Sequence, residues 1–127
     1  MTTMKTNALN WFEIHVADFD RAKRFYETIL DERLESFDTP EAKMGVFQCD
    51  TENGVGGAIV AKKGSAPGGS GGTLVYLNAD GKLDAVLGRV GTAGGKVTQG
   101  RTPIPPHGFI GFIQDTEGNR VGLHSTI

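Results

Sequence analysis

Asp50-Thr51-Glu52-Asn53-Gly54, near the middle of the chain, returns near its end as Asp115-Thr116-Glu117-Gly118-Asn119. A second pair keeps nearly the same step. Ala17-Asp18 follows a strand and opens a helical stretch, and Ala79-Asp80 does the same. The two offsets are 65 and 62 residues. A repeat of that length is a whole strand-helix-strands unit, and two such units pack into one domain around a shared cavity. A cavity between repeats is a natural ligand site, so the repeat bears on function as well as on fold.

Working outward from the first copy, Trp11 to Val16 alternates. Phe12, Ile14 and Val16 fall on one face and Trp11, Glu13 and His15 on the other, as a period-two strand requires. Asp18 then caps a helix to about Leu30, with Ala22, Phe25, Tyr26, Ile29 and Leu30 expected as its buried stripe. Strands are expected at Arg33–Phe37, Met44–Cys49 and Gly57–Lys62, separated by turns at Thr39-Pro40 and Glu52-Asn53-Gly54. The second copy repeats the order. Thr73–Ala79 reads as a strand and Leu83–Ala93 as a helix with Leu83, Val86, Leu87 and Val90 apolar, stopped by Gly94-Gly95. Lys96–Thr98 is expected as a short strand, Pro103 to Pro106 as an extended or turning stretch. Phe109–Gln114 and Arg120–Ser125 form the closing hairpin. Residues 64–72, Gly-Ser-Ala-Pro-Gly-Gly-Ser-Gly-Gly, read as a flexible joint. They lack the Gly-Lys-Ser/Thr ending and the preceding strand of a phosphate loop. The expectation is therefore one α+β domain over 1–127, with a first βαβββ module at 8–63 and a second at 73–126.

Composition narrows the classes. The 127 residues suffice for one core without staples. The formal net charge is −2, and no Lys/Arg cluster alternates with aromatics, which argues against nucleic acid as a partner. No apolar stretch approaches the roughly 20 residues of a membrane span. Residues 1–10 are polar and lack the apolar core of a secretion signal. The single Cys49 cannot form an internal disulfide and suits a reducing cytoplasm. It is expected to pack in a strand rather than serve as a nucleophile. A soluble cytoplasmic protein is the expectation.

Four stretches carry a family resemblance: Trp-Phe-Glu-Ile-His-Val-Ala-Asp (11–18), Arg-Ala-Lys-Arg-Phe-Tyr (21–26), Ala-Gly-Gly-Lys-Val (93–97) and Asp-Thr-Glu-Gly-Asn-Arg-Val-Gly-Leu-His-Ser (115–125). Together, spread over nearly the whole chain, they resemble the vicinal oxygen chelate superfamily. That group includes glyoxalase I, extradiol dioxygenases, fosfomycin-resistance enzymes and bleomycin-binding proteins. The nearest likeness is to its small single-domain, glyoxalase-related branch. The resemblance implies two βαβββ modules forming a curved mixed sheet around a cavity, and a homodimer.

It also implies a divalent metal held by four His, Glu or Gln side chains, two from each module, acting as a Lewis acid. By pattern those positions fall on Trp11 and Leu74 in the first strands and on Gly57 and Gly122 in the last. None of these side chains binds a metal. A one-residue slip restores at most one ligand, and it also exchanges the strand's two faces. The expectation is no metal and no other cofactor.

Residues sharing parity with the lost ligands are expected to face the cavity. Trp11, Leu74, Tyr76, Asn78, Arg120 and His124 are read as ligand-binding, and Glu13 and His15 as an acid–base pair two residues apart on one face. Arg120 with His124 suits an anionic group, although an ordinary exposed Arg beside a turn fits as well. His107 sits at a loop edge. Three functions follow: binding of a small molecule in a metal-free pocket, a metal-independent lyase or isomerase using Glu13 and His15, or a glyoxalase-type lyase with an atypical metal centre.

Overall fold

Alternation and capping shape each half of the chain in turn. The computed structural model describes residues 4–64 and 72–127; most of the Gly/Ser joint read at 64–72 lies outside them. The first half runs β1 (Leu9–His15), α1 (Phe19–Leu30), β2 (Glu35–Asp38), β3 (Ala42–Val46) and β4 (Gly56–Lys62). The second runs β5 (Thr73–Asn78), α2 (Leu83–Val90), β6 (Lys96–Pro103), β7 (Phe109–Gln114) and β8 (Arg120–Ser125). The fold is α+β, and the βαβββ order occurs twice. Two compact units result, one spanning Trp11–Leu74 and the other the N-terminal residues up to Asn10 with Val75–Ile127.

In the Trp11–Leu74 unit the strand order is β2-β3-β4-β1. β4 returns parallel to β1, pairing Trp11 with Gly56 and Glu13 with Ala58, while β3 lies antiparallel to β4. A parallel return needs a long crossover, which α1, β2 and β3 supply. α1 starts where the sequence places it. Asp18 Oδ1 accepts the Arg21 N–H at 3.0 Å, a cap worth about 1 kcal/mol. It stops at Asp31, whose φ of 52° breaks the helical run. Beneath α1, Tyr26 meets Phe47 edge-on and Phe47 meets Phe12, with ring centroids 5.6 Å apart in each pair. Ala58, Ile59 and Val60 of β4 are buried.

The expected stripe on α1 is not buried as a whole. Phe25, Ile29 and Leu30 are 55%, 58% and 46% exposed. The helix rests on β3 and β4, so its apolar arc is wider than the surface that receives it. β2 begins at Glu35 instead of Arg33, because the Leu34 N–H is taken by the Glu27 carboxylate at 2.9 Å. β3 ends at Val46 instead of Cys49. Phe47 still bonds the Gly57 carbonyl, after which the chain turns outward. Cys49 is thus exposed outside any strand, its thiol donating to the Val55 carbonyl at 3.3 Å.

The other unit has the order β5-β8-β7-β6, with β8 parallel to β5 and antiparallel to β7. Its core gathers Ala79, Leu83 and Leu123, with Val86, Leu87, Phe109 and Ile113 against them. Residues 4–10 belong here. Ala8 accepts the Asn78 N–H, and Asn7 accepts its side-chain amide. α2 ends at Val90 instead of Ala93, since Gly88 and Gly91 weaken the last turn. β6 is longer than the expected Lys96–Thr98. Register shifts at Val97/Gln99 and Gln99/Thr102 let it pass Gly100 and reach Pro103. It stands last in the strand order, where a missing N–H leaves no ladder bond unmade. The closing hairpin has the expected limits, its turn fixed by Asp115 Oδ1 accepting the N–H groups of Glu117 and Asn119.

Candidate functional site

Three consecutive same-side residues of β1 form a connected polar line. The Trp11 indole N–H donates to Glu13 Oε2 at 3.2 Å, and Glu13 Oε1 lies 3.4 Å from His15 Nε2. His15 is 5% exposed and the Glu13 side chain 15%. Alternation along β1 sets this line on one face and Phe12 and Ile14 on the other. β4 follows in register, so Gly56, Ala58 and Val60 accompany Trp11, Glu13 and His15. A Cβ on Gly56 would lie 3.1 Å from Trp11 Cζ3. The polar line therefore runs beside a strip of small and aliphatic residues that offer no side-chain hydrogen bond.

Register also corrects one sequence assignment. Gly57 was the expected last-strand position on this face, but a Cβ there would run into the Phe12 ring. Gly57 faces α1, and the residue opposite Glu13 is Ala58. The opposite face carries a groove of about 420 Å³ lined by Phe12, Ile14, Ile29, Leu30, Phe47 and neighbours.

In the other unit the corresponding face is aromatic. Tyr76 pairs with Gly122, and a Cβ on Gly122 would strike the Tyr76 ring. Tyr76 packs edge-on to Phe112 at 5.7 Å, and the Arg120 guanidinium lies 4.3 Å over Phe112. Asn78 binds the N-terminal segment through its amide and also accepts the Asp80 N–H. Both His124 nitrogens are engaged. Nε2 is 2.6 Å from the His107 carbonyl and must donate, which leaves Nδ1 to accept from the Asn10 amide at 2.9 Å. Leu74, like Tyr76, is buried. The His107 side chain is exposed, and it is its backbone that meets His124.

Asn10 escaped the sequence reading because nothing local connects it with a histidine 114 residues away. Asp80 is another such residue. Its carboxylate lies below the usual range, held by the Thr126 hydroxyl first, then by the Thr126 N–H and the Ser125 hydroxyl. The two repeated aspartates behave alike. Asp50 is lowered chiefly by the Asn53 amide and Asp115 by the Asn119 amide. All three carboxylates serve turns or termini. Among the described residues no group of three or more His, Cys, Asp or Glu side chains is placed to hold a metal ion.

The βαβββ order, occurring twice, defines a glyoxalase-fold protein. The chain belongs to the Glyoxalase/Bleomycin resistance protein/Dioxygenase superfamily, whose family model matches residues 8–123. Methylmalonyl-CoA epimerase from Mycobacterium tuberculosis is similar in structure, with a TM-score of 0.65, 17% identity, and coverage of 98% of this chain and 93% of that one. The Streptomyces coelicolor methylmalonyl-CoA epimerase in complex with 2-nitronate-propionyl-CoA gives 0.63, 15%, and 93% of each chain. In sequence, “Putative glyoxylase CFP32” of Mycobacterium tuberculosis and of Mycobacterium bovis is 31% identical over 118 residues. The match takes in 90% of this chain but only 44% of those relatives' length. No described helix is long and apolar enough to cross a membrane.

Proposed function

We propose that this chain is a small-molecule-binding member of the superfamily, and that the Trp11–Glu13–His15 face of β1 recognises the ligand. One observation carries the reading: a largely buried carboxylate is held between an indole N–H and an imidazole, beside a strip of small apolar residues. Apolar walls with a few converging polar groups are the usual make-up of a ligand site. The reading includes a pocket without the family's usual four metal ligands. The first- and last-strand positions hold Trp11 and Ala58 in the first βαβββ repeat and Leu74 and Gly122 in the second. These side chains do not fit a metal, and both nitrogens of His124 already have partners. Assembly as a homodimer in the cytoplasm belongs to the same reading. Exposed Phe25, Ile29 and Leu30 leave apolar surface on a single chain, which supports it.

Metal content of the purified, untagged protein, before and after nickel and zinc reloading, tests the metal-free pocket. An empty protein that stays empty is expected. About one ion per chain retained through dialysis overturns it and favours a glyoxalase-type lyase with an atypical centre.

The Glu13–His15 contact favours a second reading, a metal-independent lyase or isomerase that moves a proton between substrate carbon and this pair. His15→Ala separates the two. A binding protein loses affinity modestly, whereas an acid–base enzyme loses turnover by about 100-fold or more.

A further inference from the structure

We infer that the outer face of α1 is where two copies of this chain meet, α1 against α1, antiparallel about a two-fold axis. The inference deepens the homodimer reading above and rests on it. It begins from the side of α1 that stays open. The helix lies on β3 and β4, yet Phe25 and Ile29, one turn apart, are each more than half exposed. Arg21 continues the same stripe one turn earlier, with Arg24 and Thr28 beside it, and all three are exposed. Past Ile29 the surface runs on to Leu30 and Glu32, which line the groove of about 420 Å³ beneath the helix.

Charge along this face selects a second copy as the occupant. Arg21 and Arg24 stand toward the start of α1, Asp31 and Glu32 at its end, and all four are exposed. Two such helices side by side in parallel set like charges together. Reversed, each brings its arginines to the acidic end of the other, and the attraction is gained at both ends at once. The remaining charges of the helix are turned to their own chain. Lys23 pairs with Glu27 at 3.5 Å, Glu27 accepts the Leu34 N–H, and Asp18 caps the Arg21 N–H. Asp20, five residues before Phe25, lies well round the helix from it. Shape obeys the same symmetry. With the axis passing between Phe25 and Ile29, Phe25 of each copy meets Ile29 of the other at the mouth of the groove, so one surface supplies both ridge and hollow, as an isologous contact requires. The apolar stripe is short of the roughly 800 Å² that each partner gives to a stable interface, so the charged flanks belong to the contact. A dissociation constant on the order of 1 μM or weaker is expected.

Sedimentation of the full-length protein from low to high micromolar concentration measures the association. Phe25→Glu and Ile29→Glu are each expected to weaken it at least about tenfold, with a melting curve close to the parent's because both side chains are more than half exposed. Arg21→Glu and Glu32→Arg should each weaken it by about three- to tenfold. The double variant R21E/E32R exchanges the two charges and should regain most of the parent's affinity, a recovery that a merely structural role for either residue would not give. A dimer indifferent to all of these substitutions overturns the α1 contact and leaves the homodimer reading standing. Weakening in both single charge variants without recovery in the double overturns the antiparallel arrangement. A monomer at every concentration overturns the homodimer reading and the contact with it. The charge exchange decides the matter even where Phe25→Glu fails to fold.

Discussion

On β1, Trp11, Glu13 and His15 are linked by hydrogen bonds along one strand, whereas on β5 the corresponding side chains turn to a buried core, an aromatic partner and the N-terminal segment. Leu74 is buried, Tyr76 leans on Phe112, and Asn78 holds the N-terminal segment. The last strands differ to match. Tyr76 is seated over Gly122, which leaves the ring room, while Glu13 faces Ala58. The difference teaches that one strand-helix-strands order has been kept twice while the side chains on the two first strands have diverged, a hydrogen-bonded polar line on β1 against ring packing and a tie to the N-terminal segment on β5.

The largest break in this comparison is expected at Gly108, which has no counterpart in the first unit. The loop from Ile104 to Gly108 closes on its own hydrogen bonds and meets His124 through the His107 carbonyl. Gly108 has φ of 95°, and a Cβ there would collide with the Ser125 carbonyl, which is backbone. Gly108→Ala should cost about 2–4 kcal/mol in denaturant unfolding. A loss within 0.5 kcal/mol would mean that the loop does not pin the end of β8.

Face assignment is tested by a pair of neighbouring substitutions. Gly57→Ala pushes on Phe12 beneath α1 and should destabilise by about 1–3 kcal/mol without shifting Trp11 emission. Gly56→Ala presses on the indole and should shift that emission at a smaller stability cost. The reverse result would exchange the faces of β4 and restore Gly57 to the Glu13 side.

The smallest effect compares the two repeated turns under acid. Asp50 and Asp115 both have pKa values lowered in the folded chain by side-chain amides and backbone N–H groups. A lowered folded value gives stability that is present above the unfolded value, near 4, and is lost as pH falls toward the folded one. Asp50→Asn and Asp115→Asn should each reduce the melting temperature slightly at pH 7 and flatten its decline below about pH 4. An unchanged acid limb in both would detach the turns from acid stability.

Much of the fold was legible because local chemistry dictated it. Asp18 caps where it should, Trp11 to His15 alternates as a strand, and the repeated Asp-Thr-Glu turns close their strands. What escaped was set by contacts remote in sequence. The stripe on α1 is periodic, yet periodicity says nothing about how wide a surface β3 and β4 present to Phe25 and Ile29. Counting seven residues from the aspartate placed Gly122 on the Tyr76 face correctly. The same count misplaced Gly57, because six residues separate Asp50 from the start of β4 and five separate Asp115 from the start of β8. One extra turn residue reverses a strand's faces. Of the candidate site, the Glu13–His15 proximity followed from strand spacing, whereas the Asn10–His124 and Asp80–Thr126 contacts needed the folded chain.

The boundary between the compact units crosses β1 after Asn10 and β5 after Leu74, not the Gly/Ser stretch where the repeat divides in sequence. A chain severed within that stretch would thus yield fragments that are each incomplete. The C-terminal piece would lack Ala8, whose carbonyl receives the Asn78 N–H, and Asn10, whose amide meets His124. The two pieces should regain structure only when mixed or co-expressed, which makes the joint a natural place to build a split reporter.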